Sequence, residues 1–191
     1  MAKCTGCNRS ALKVKLTVCD TCNRPVETNS QRGRRSRTKG NEYENHVAKK
    51  LSKWWGDTRS FRRTPSSGAW DRGRAAGDLV RPDGFRYIIE CKKHEGWEIS
   101  QLLSAEKSLI EEWWAQAVGE TPAGHRTLVI FSKNHHPDFV MMSARSFARF
   151  QAQCGLSKIE YFKINTKAIP RVILLLDPFL DEVDAAVFTG E

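Results

Sequence analysis

The stretch "FRYIIECKK", Phe85 to Lys93, does most to limit what this chain can become. In an extended strand alternate side chains share a face. Tyr87, Ile89 and Cys91 therefore turn to one side, and Glu90 and Lys92 to the other. A run this apolar belongs in a sheet, yet charged side chains are poor tenants of an interior unless they are paired or hold an ion. The chain must therefore build a sheet in which one strand is covered on one side and carries charge on the other. Those charges sit either at a solvent-facing strand end or around something charged that binds there.

The segments on either side supply the rest of such a sheet. Gly40 to Trp55 reads as a helix, with Tyr43, Val47, Ala48, Leu51 and Trp54/Trp55 recurring on one side. Strands are predicted at Arg59–Arg63, Asp78–Arg81 and Arg86–Lys92, with "RPDG" turning the chain between the last two. A long helix is predicted from Glu98 to Val118. Its Ile99, Leu102, Leu103, Leu109, Ile110, Trp113 and Trp114 keep helical spacing, and the two tryptophans are assigned to the core or a subunit interface. "HRTLVIFSK" then reads as a strand, "SARSFARFQAQC" as a helix, and Ile159–Ile164 and Val172–Leu176 as strands. His135 and His136 read as loop decoration and "DEVD" as a solvated end. The economical architecture is α/β, a mixed sheet flanked by helices, occupying residues 39–191.

Two smaller segments precede it. Residues 1–24 hold two C-x-x-C pairs, Cys4/Cys7 and Cys19/Cys22, on either side of a strand-like alternation through Val14, Leu16 and Val18. Four thiolates in this arrangement predict a closed structural zinc site, a small ribbon or knuckle. A redox pair, or two unrelated thiol pairs, is the alternative. Residues 25–38, with the lysine that follows, carry Arg32, Arg34, Arg35, Arg37 and Lys39 among few apolar residues. The segment reads as a flexible basic linker, either a phosphate-contacting arm or a solvated tether. The whole chain has 31 Lys and Arg against 22 Asp and Glu, a formal charge of +9. Such an excess points to a polyanionic partner, nucleic acid first, with membranes and acidic proteins behind it. No apolar stretch is long enough to span a bilayer and the N-terminus lacks a signal-peptide core, so an intracellular, cytoplasmic protein is expected. Thiols or metal ligands are then expected of its six cysteines rather than disulfides.

The charged strand also suggests a chemistry. If Asp78 arrives on the neighbouring strand of a hairpin, its carboxylate can approach that of Glu90, and two carboxylates so placed call for a cation between them. Mg²⁺ prefers oxygen ligands of this kind. A bound ion acidifies its water and neutralises charge developing on a phosphate oxygen, and Lys92 can orient that water or the transition state. Glu44 shares a helix stripe with Ala48, Leu51 and Trp55 and faces inward. Glu42 lines up instead with His46, Lys49 and Lys53 on the solvent side.

Asp78 followed by Glu90-Cys91-Lys92 resembles the D…(D/E)-x-K core of the PD-(D/E)xK nuclease superfamily. "KGNEYENHVAKKL", "RSFRRTPSSG", "GDLV" and "YIIECKK" follow one another in the order seen in archaeal-type Holliday junction resolvases, over roughly residues 38–95. The resemblance implies a restriction-endonuclease-like fold and an Mg²⁺-dependent endonuclease, with Mn²⁺ as a substitute, that cuts branched DNA. A C₂ homodimer would place two such sites on a junction. It further implies that Asp78, Glu90 and the Cys91 backbone carbonyl hold the metal, that Lys92 assists the water and that Glu44 completes the acidic cluster. Ser66 or Ser67 would approach the DNA backbone, with Arg62 and Arg63 on neighbouring phosphates. The chain departs from the compact resolvases in its zinc element, in the insertion "GAWDRGRAA" and in Cys91 at a position usually aliphatic. Duplex sites, flaps or ends therefore stay open as substrates. Two other readings stand beside the enzyme. One is a non-catalytic nucleic-acid-binding module built on the zinc ribbon, and the other an adaptor whose ribbon docks a replication protein.

Overall fold

The computed structural model describes residues 3–4, 26–65, 76–103, 108–165 and 169–189. It separates into two compact units, Met1–Glu42 and Tyr43–Glu191. In the first, β1 (Lys3–Cys4) pairs antiparallel with β2 (Val26–Glu27), setting Cys4 opposite Val26. Cys7, Cys19 and Cys22 lie outside the described residues, as does the strand expected through Val14, Leu16 and Val18. Helix α1 (Asn29–Trp55) begins in this unit and continues into the second.

The helix starts eleven residues earlier than Gly40, which corrects the reading of residues 29–38 as linker. Thr28 Oγ1 accepts from the Gln31 N–H at 3.1 Å, and Gln31 Oε1 accepts from the Thr28 N–H at 2.8 Å. This reciprocal pair is a capping box, which satisfies two of the amides a helix start leaves unpaired. Arg and Lys are good helix formers, so once the start is capped the basic segment continues as helix without an apolar stripe. Arg34, Arg35 and Arg37 are exposed along it.

In the second unit, β3 (Arg62–Arg63) pairs antiparallel with β4 (Leu79–Val80), and the main sheet begins at β5 (Tyr87–Lys93). A 3₁₀ turn (Ile99–Leu103) and α2 (Leu109–Glu120) replace the single long helix expected from Glu98. Ser108, in extended backbone at φ −100° and ψ 129°, opens α2, although its hydroxyl makes no capping hydrogen bond. There follow β6 (Arg126–Ser132), β7 (Phe139–Ser143), α3 (Ala144–Cys154), β8 (Tyr161–Ile164), β9 (Arg171–Leu175) and α4 (Leu176–Glu182). Strand β7, "FVMMS", was not anticipated. Nor was the end of the chain, where Val183 is buried and Asp184 accepts from the Ala186 N–H to start a last 3₁₀ turn. Among the described residues no helix is long and apolar enough to cross a membrane.

The five strands run in the order β5-β6-β7-β9-β8, parallel between β5 and β6 and antiparallel elsewhere. Their alternation divides the core. Leu128, Ile130, Val140, Met142, Val172 and Leu174 join Tyr43, Val47 and Leu51 of α1 and Phe147 and Phe150 of α3 on one face. Val129, Phe131, Met141 and Ile173 meet Ile110, Trp113, Trp114 and Ala117 of α2 on the other. Both faces are covered, which is why β6 reads as a continuous apolar run rather than an alternating one. The expected α/β sheet flanked by helices is thus the observed one, and both tryptophans are core residues.

One buried charge fixes α1 to this sheet. Asp138, 7% exposed, accepts from Tyr43 Oη at 3.1 Å and from Lys50 Nζ at 2.6 Å, with His46 Nε2 at 3.0 Å. Lys50 also reaches Asp177 on α4 at 2.7 Å. Burial alone would push Asp138 up, but the contacts from Lys50 and His46 outweigh it and hold the carboxyl below its usual value. Because the folded value is depressed, this stabilisation is complete above the ordinary value of 3.8 and is lost as pH falls through the lowered one. Asp138→Ala is expected to cost about 2 kcal/mol, since it removes the acceptor of the Tyr43 hydroxyl and leaves Lys50 paired with Asp177. That corresponds to a fall in melting temperature of roughly 4–8 °C. Melting curves of both proteins taken from neutral pH into acid should converge below the carboxylate range. A constant gap would show that the network does not act through the Asp138 charge.

Candidate active site

Asp78 reaches β5 by a route that differs from the expected hairpin. Strand β4 pairs with β3, Arg62 opposite Val80 and Arg63 opposite Leu79, and Asp78 precedes it. What joins Asp78 to β5 is a clip. Its N–H donates to Ile89 O at 2.9 Å, and its Oδ2 accepts from the Cys91 N–H at 2.7 Å. From the other side the Thr64 N–H donates to Asp78 O at 2.8 Å and the Thr64 hydroxyl to Gly77 O at 3.2 Å. So close an approach needs Gly77. At φ +82° a side chain is strained, and a Cβ would stand 2.5 Å from Ile89 O. The "RPDG" turn follows, with Gly84 at φ +84° and the Phe85 N–H donating to Pro82 O at 3.2 Å.

Period-two alternation then sorts β5. Tyr87, Ile89 and Cys91 pack into the core beneath α1, while Glu90 and Lys92 share the opposite face and pair at 2.7 Å. Burial pushes the Cys91 thiol well up, so it is a core side chain and not a nucleophile. In a strand the N–H and C=O of one residue point to the same side. The Cys91 N–H faces Asp78, and its carbonyl therefore opens to the same edge.

Glu44 comes from α1, whose inner stripe carries Tyr43, Val47 and Leu51 into the core, while Glu42 is exposed. Arg63 Nη1 stands 3.7 Å from Glu44 Oε2. The carboxylates feel one another. Burial raises Asp78, with Glu44 adding to it against the Cys91 N–H. Glu90, 6% exposed, is raised by burial and by Asp78 despite its contact with Lys92. Burial and Glu90 raise Glu44 against the opposing guanidinium of Arg63.

The structure thus brings Glu44, Asp78, Glu90, Lys92 and Arg63 together, with Arg62 exposed on the adjacent strand. Ser66 and Ser67 lie outside the described residues. Arg32, Arg34, Arg35, Arg37 and Lys39 belong to the first unit. Three residues at this site were missed. Thr64 holds the Gly77-Asp78 carbonyls, and Gln116 and Glu120 come from α2. Lys92 Nζ donates to Gln116 Oε1 at 3.1 Å, and Gln116 Nε2 donates to Glu120 Oε1 at 3.1 Å. Only their four-residue spacing was visible in the sequence, and nothing local ties it to β5.

One buried and two half-buried carboxylates that raise one another are a donor set suited to a hard cation. Among the described residues no three His, Cys, Asp or Glu side chains form a ready-made metal cage. Mg²⁺ asks for less, since it keeps several waters and uses one or two carboxylates. The residues present fit it.

Compared with known proteins, the chain matches one family model, described as "Phage putative PDDEXK endonuclease", over residues 35–188. That span contains Glu44, Asp78, Glu90, Lys92, Gln116 and Glu120. No curated protein and no solved structure matches.

Proposed function

The chain belongs to the phage PDDEXK endonuclease family, and from that premise we propose that it hydrolyses DNA phosphodiesters with Mg²⁺ at the open edge of β5. The observation that carries this reading is the clip that sets the Asp78 carboxylate beside Glu90 and Lys92. Asp78, Glu90 and the Cys91 carbonyl hold the ion, with Glu44 completing the acidic set. The ion, when bound, activates a water and offsets charge on the phosphate. The chain's own residues do the remainder. Lys92 orients the attacking water or a phosphate oxygen, and Arg62, Arg63 and Ser66 or Ser67 hold neighbouring phosphates. As the water oxygen bonds to phosphorus one ester P–O bond breaks, and the leaving oxygen takes up a proton.

Four-way junction DNA is the substrate we assign, on the order of the motifs from Lys39-Gly40 to Lys92, with a homodimer presenting two sites. Cys4, Cys7, Cys19 and Cys22 hold a structural zinc ion in a ribbon of residues 1–24. The basic residues Arg32 to Lys39 add phosphate contacts, and the ribbon is the natural place for a protein partner. The setting is intracellular.

Cleavage of a labelled four-way junction and its matched duplex, with Mg²⁺ or with EDTA, tests the reading. Paired symmetric nicks in the junction alone, absent with EDTA, are expected. Equal cutting of the duplex would keep the nuclease and remove the junction preference. Binding without Mg²⁺-dependent cutting would favour the non-catalytic module.

A further inference from the structure

The chemistry proposed above leaves Gln116 and Glu120 without a role, although α2 carries both to Lys92. Their contacts form one line. Glu90 Oε1 meets Lys92 Nζ at 2.7 Å, Lys92 Nζ meets Gln116 Oε1 at 3.1 Å, and Gln116 Nε2 meets Glu120 Oε1 at 3.1 Å. The chemistry of the ends fixes the middle. An ammonium only donates and a carboxylate only accepts, whereas a carboxamide has one end of each kind. Turning the Gln116 amide over would set its NH₂ against the ammonium and its oxygen against the carboxylate, and both bonds would be lost. Glu120 therefore selects the orientation in which Gln116 presents oxygen to Lys92.

The anchoring of α2 makes this contact reproducible. Trp113, Trp114 and Ala117 are buried on either side of Gln116 in sequence and hold the helix against the sheet. Lys92 is 22% exposed and has a long stem, so a single contact to Glu90 would leave it free to swing. Once Glu90 is engaged elsewhere, the hydrogen bond to Gln116 still holds Lys92.

We infer that Gln116 is a positioning residue for Lys92 and that Glu120 acts through it, fixing the amide rather than touching substrate. The inference rests on the nuclease reading and adds to it the residues that aim its lysine.

The test uses the full chain and four variants, Gln116→Leu, Gln116→Glu, Glu120→Ala and Glu120→Gln, all at exposed helix positions. Single-turnover cleavage is measured at saturating junction or duplex DNA, whichever the wild type cuts, and DNA affinity is measured without divalent ions. Gln116→Leu is expected to lower the rate about tenfold with affinity unchanged, the size of one hydrogen bond to a charged group. Gln116→Glu keeps an acceptor for Lys92 and should recover part of that loss. Glu120→Ala is expected to lower the rate about fivefold. Glu120→Gln should recover most of that, because its amide oxygen still accepts from Gln116. Gln116→Leu within twofold of wild type would overturn the inference, and so would a loss in affinity with the rate intact. Equal damage from Glu120→Gln and Glu120→Ala would make Glu120 a direct ligand and remove it from the line. If the wild type cuts neither DNA with Mg²⁺ or Mn²⁺, the nuclease reading fails and this inference falls with it.

Discussion

Glu90→Gln is expected to lower the cleavage rate at least about 10³-fold, equivalent to about 4 kcal/mol of transition-state stabilisation, and to raise the melting temperature of the metal-free protein. The two effects share a cause. Burial and the nearby Asp78 raise the Glu90 carboxyl from its ordinary value of 4.5 more than Lys92 lowers it. A group whose folded value is raised contributes its stability below the unfolded value and loses it as pH rises through the folded one. At neutral pH this carboxyl therefore works against folding. Glutamine keeps the shape and an acceptor for Lys92 and removes that cost, so a gain of roughly a few degrees is expected. The gain should shrink as pH falls from the raised folded value towards 4.5 and be gone below it, where the wild-type carboxyl is protonated in both states. Melting curves across this range, beside cleavage assays, check both halves. A variant less stable at neutral pH would mean that the Lys92 contact outweighs burial, and one that still cuts would take Glu90 out of the chemistry.

The second large effect is expected from a residue with no side chain. Gly77→Ala should lower cleavage about 10²-fold, as a displacement of about 1 Å at a reacting group does. A Cβ at residue 77 would stand 2.5 Å from Ile89 O and 2.8 Å from Ile88 Cγ2, at a φ of +82° that an L side chain rarely adopts. Ile89 O is also the acceptor of the Asp78 N–H, so relieving the clash pulls the clip apart. A stability loss of about 1–3 kcal/mol should accompany it. Cleavage measured well below the melting transition separates displacement from unfolding. A variant that melts earlier and cuts at the wild-type rate would show that Asp78 does not depend on the clip.

How much could be read beforehand depended on the range of the forces involved. The common face of Glu90 and Lys92 follows from period two, and the inward stripe of Glu44 from the helical period. Both are local, and both are observed. The approach of Asp78 is not local. Its clip is made by one amide and one carboxylate rather than by a strand ladder, and no alternation of hydrophobicity reports that. The start of α1 was written in Thr28 and Gln31, but a capping box is easily overlooked before a segment with no apolar stripe. Gln116 and Glu120 depend on where Trp113 and Trp114 seat α2, which only packing decides. Strand β7 carries three consecutive buried residues, Val140, Met141 and Met142, and a run this short and apolar looks alike in a strand and a buried helix.

The clip at Asp78 also has a consequence for solubility. Strand β5 is the outermost strand of its sheet, and an outer strand with unpaired amides and carbonyls is a template on which another chain can add itself. Asp78 occupies Ile89 O and the Cys91 N–H, two groups a foreign strand would use. A strand adding itself here would first have to displace Asp78 from both groups.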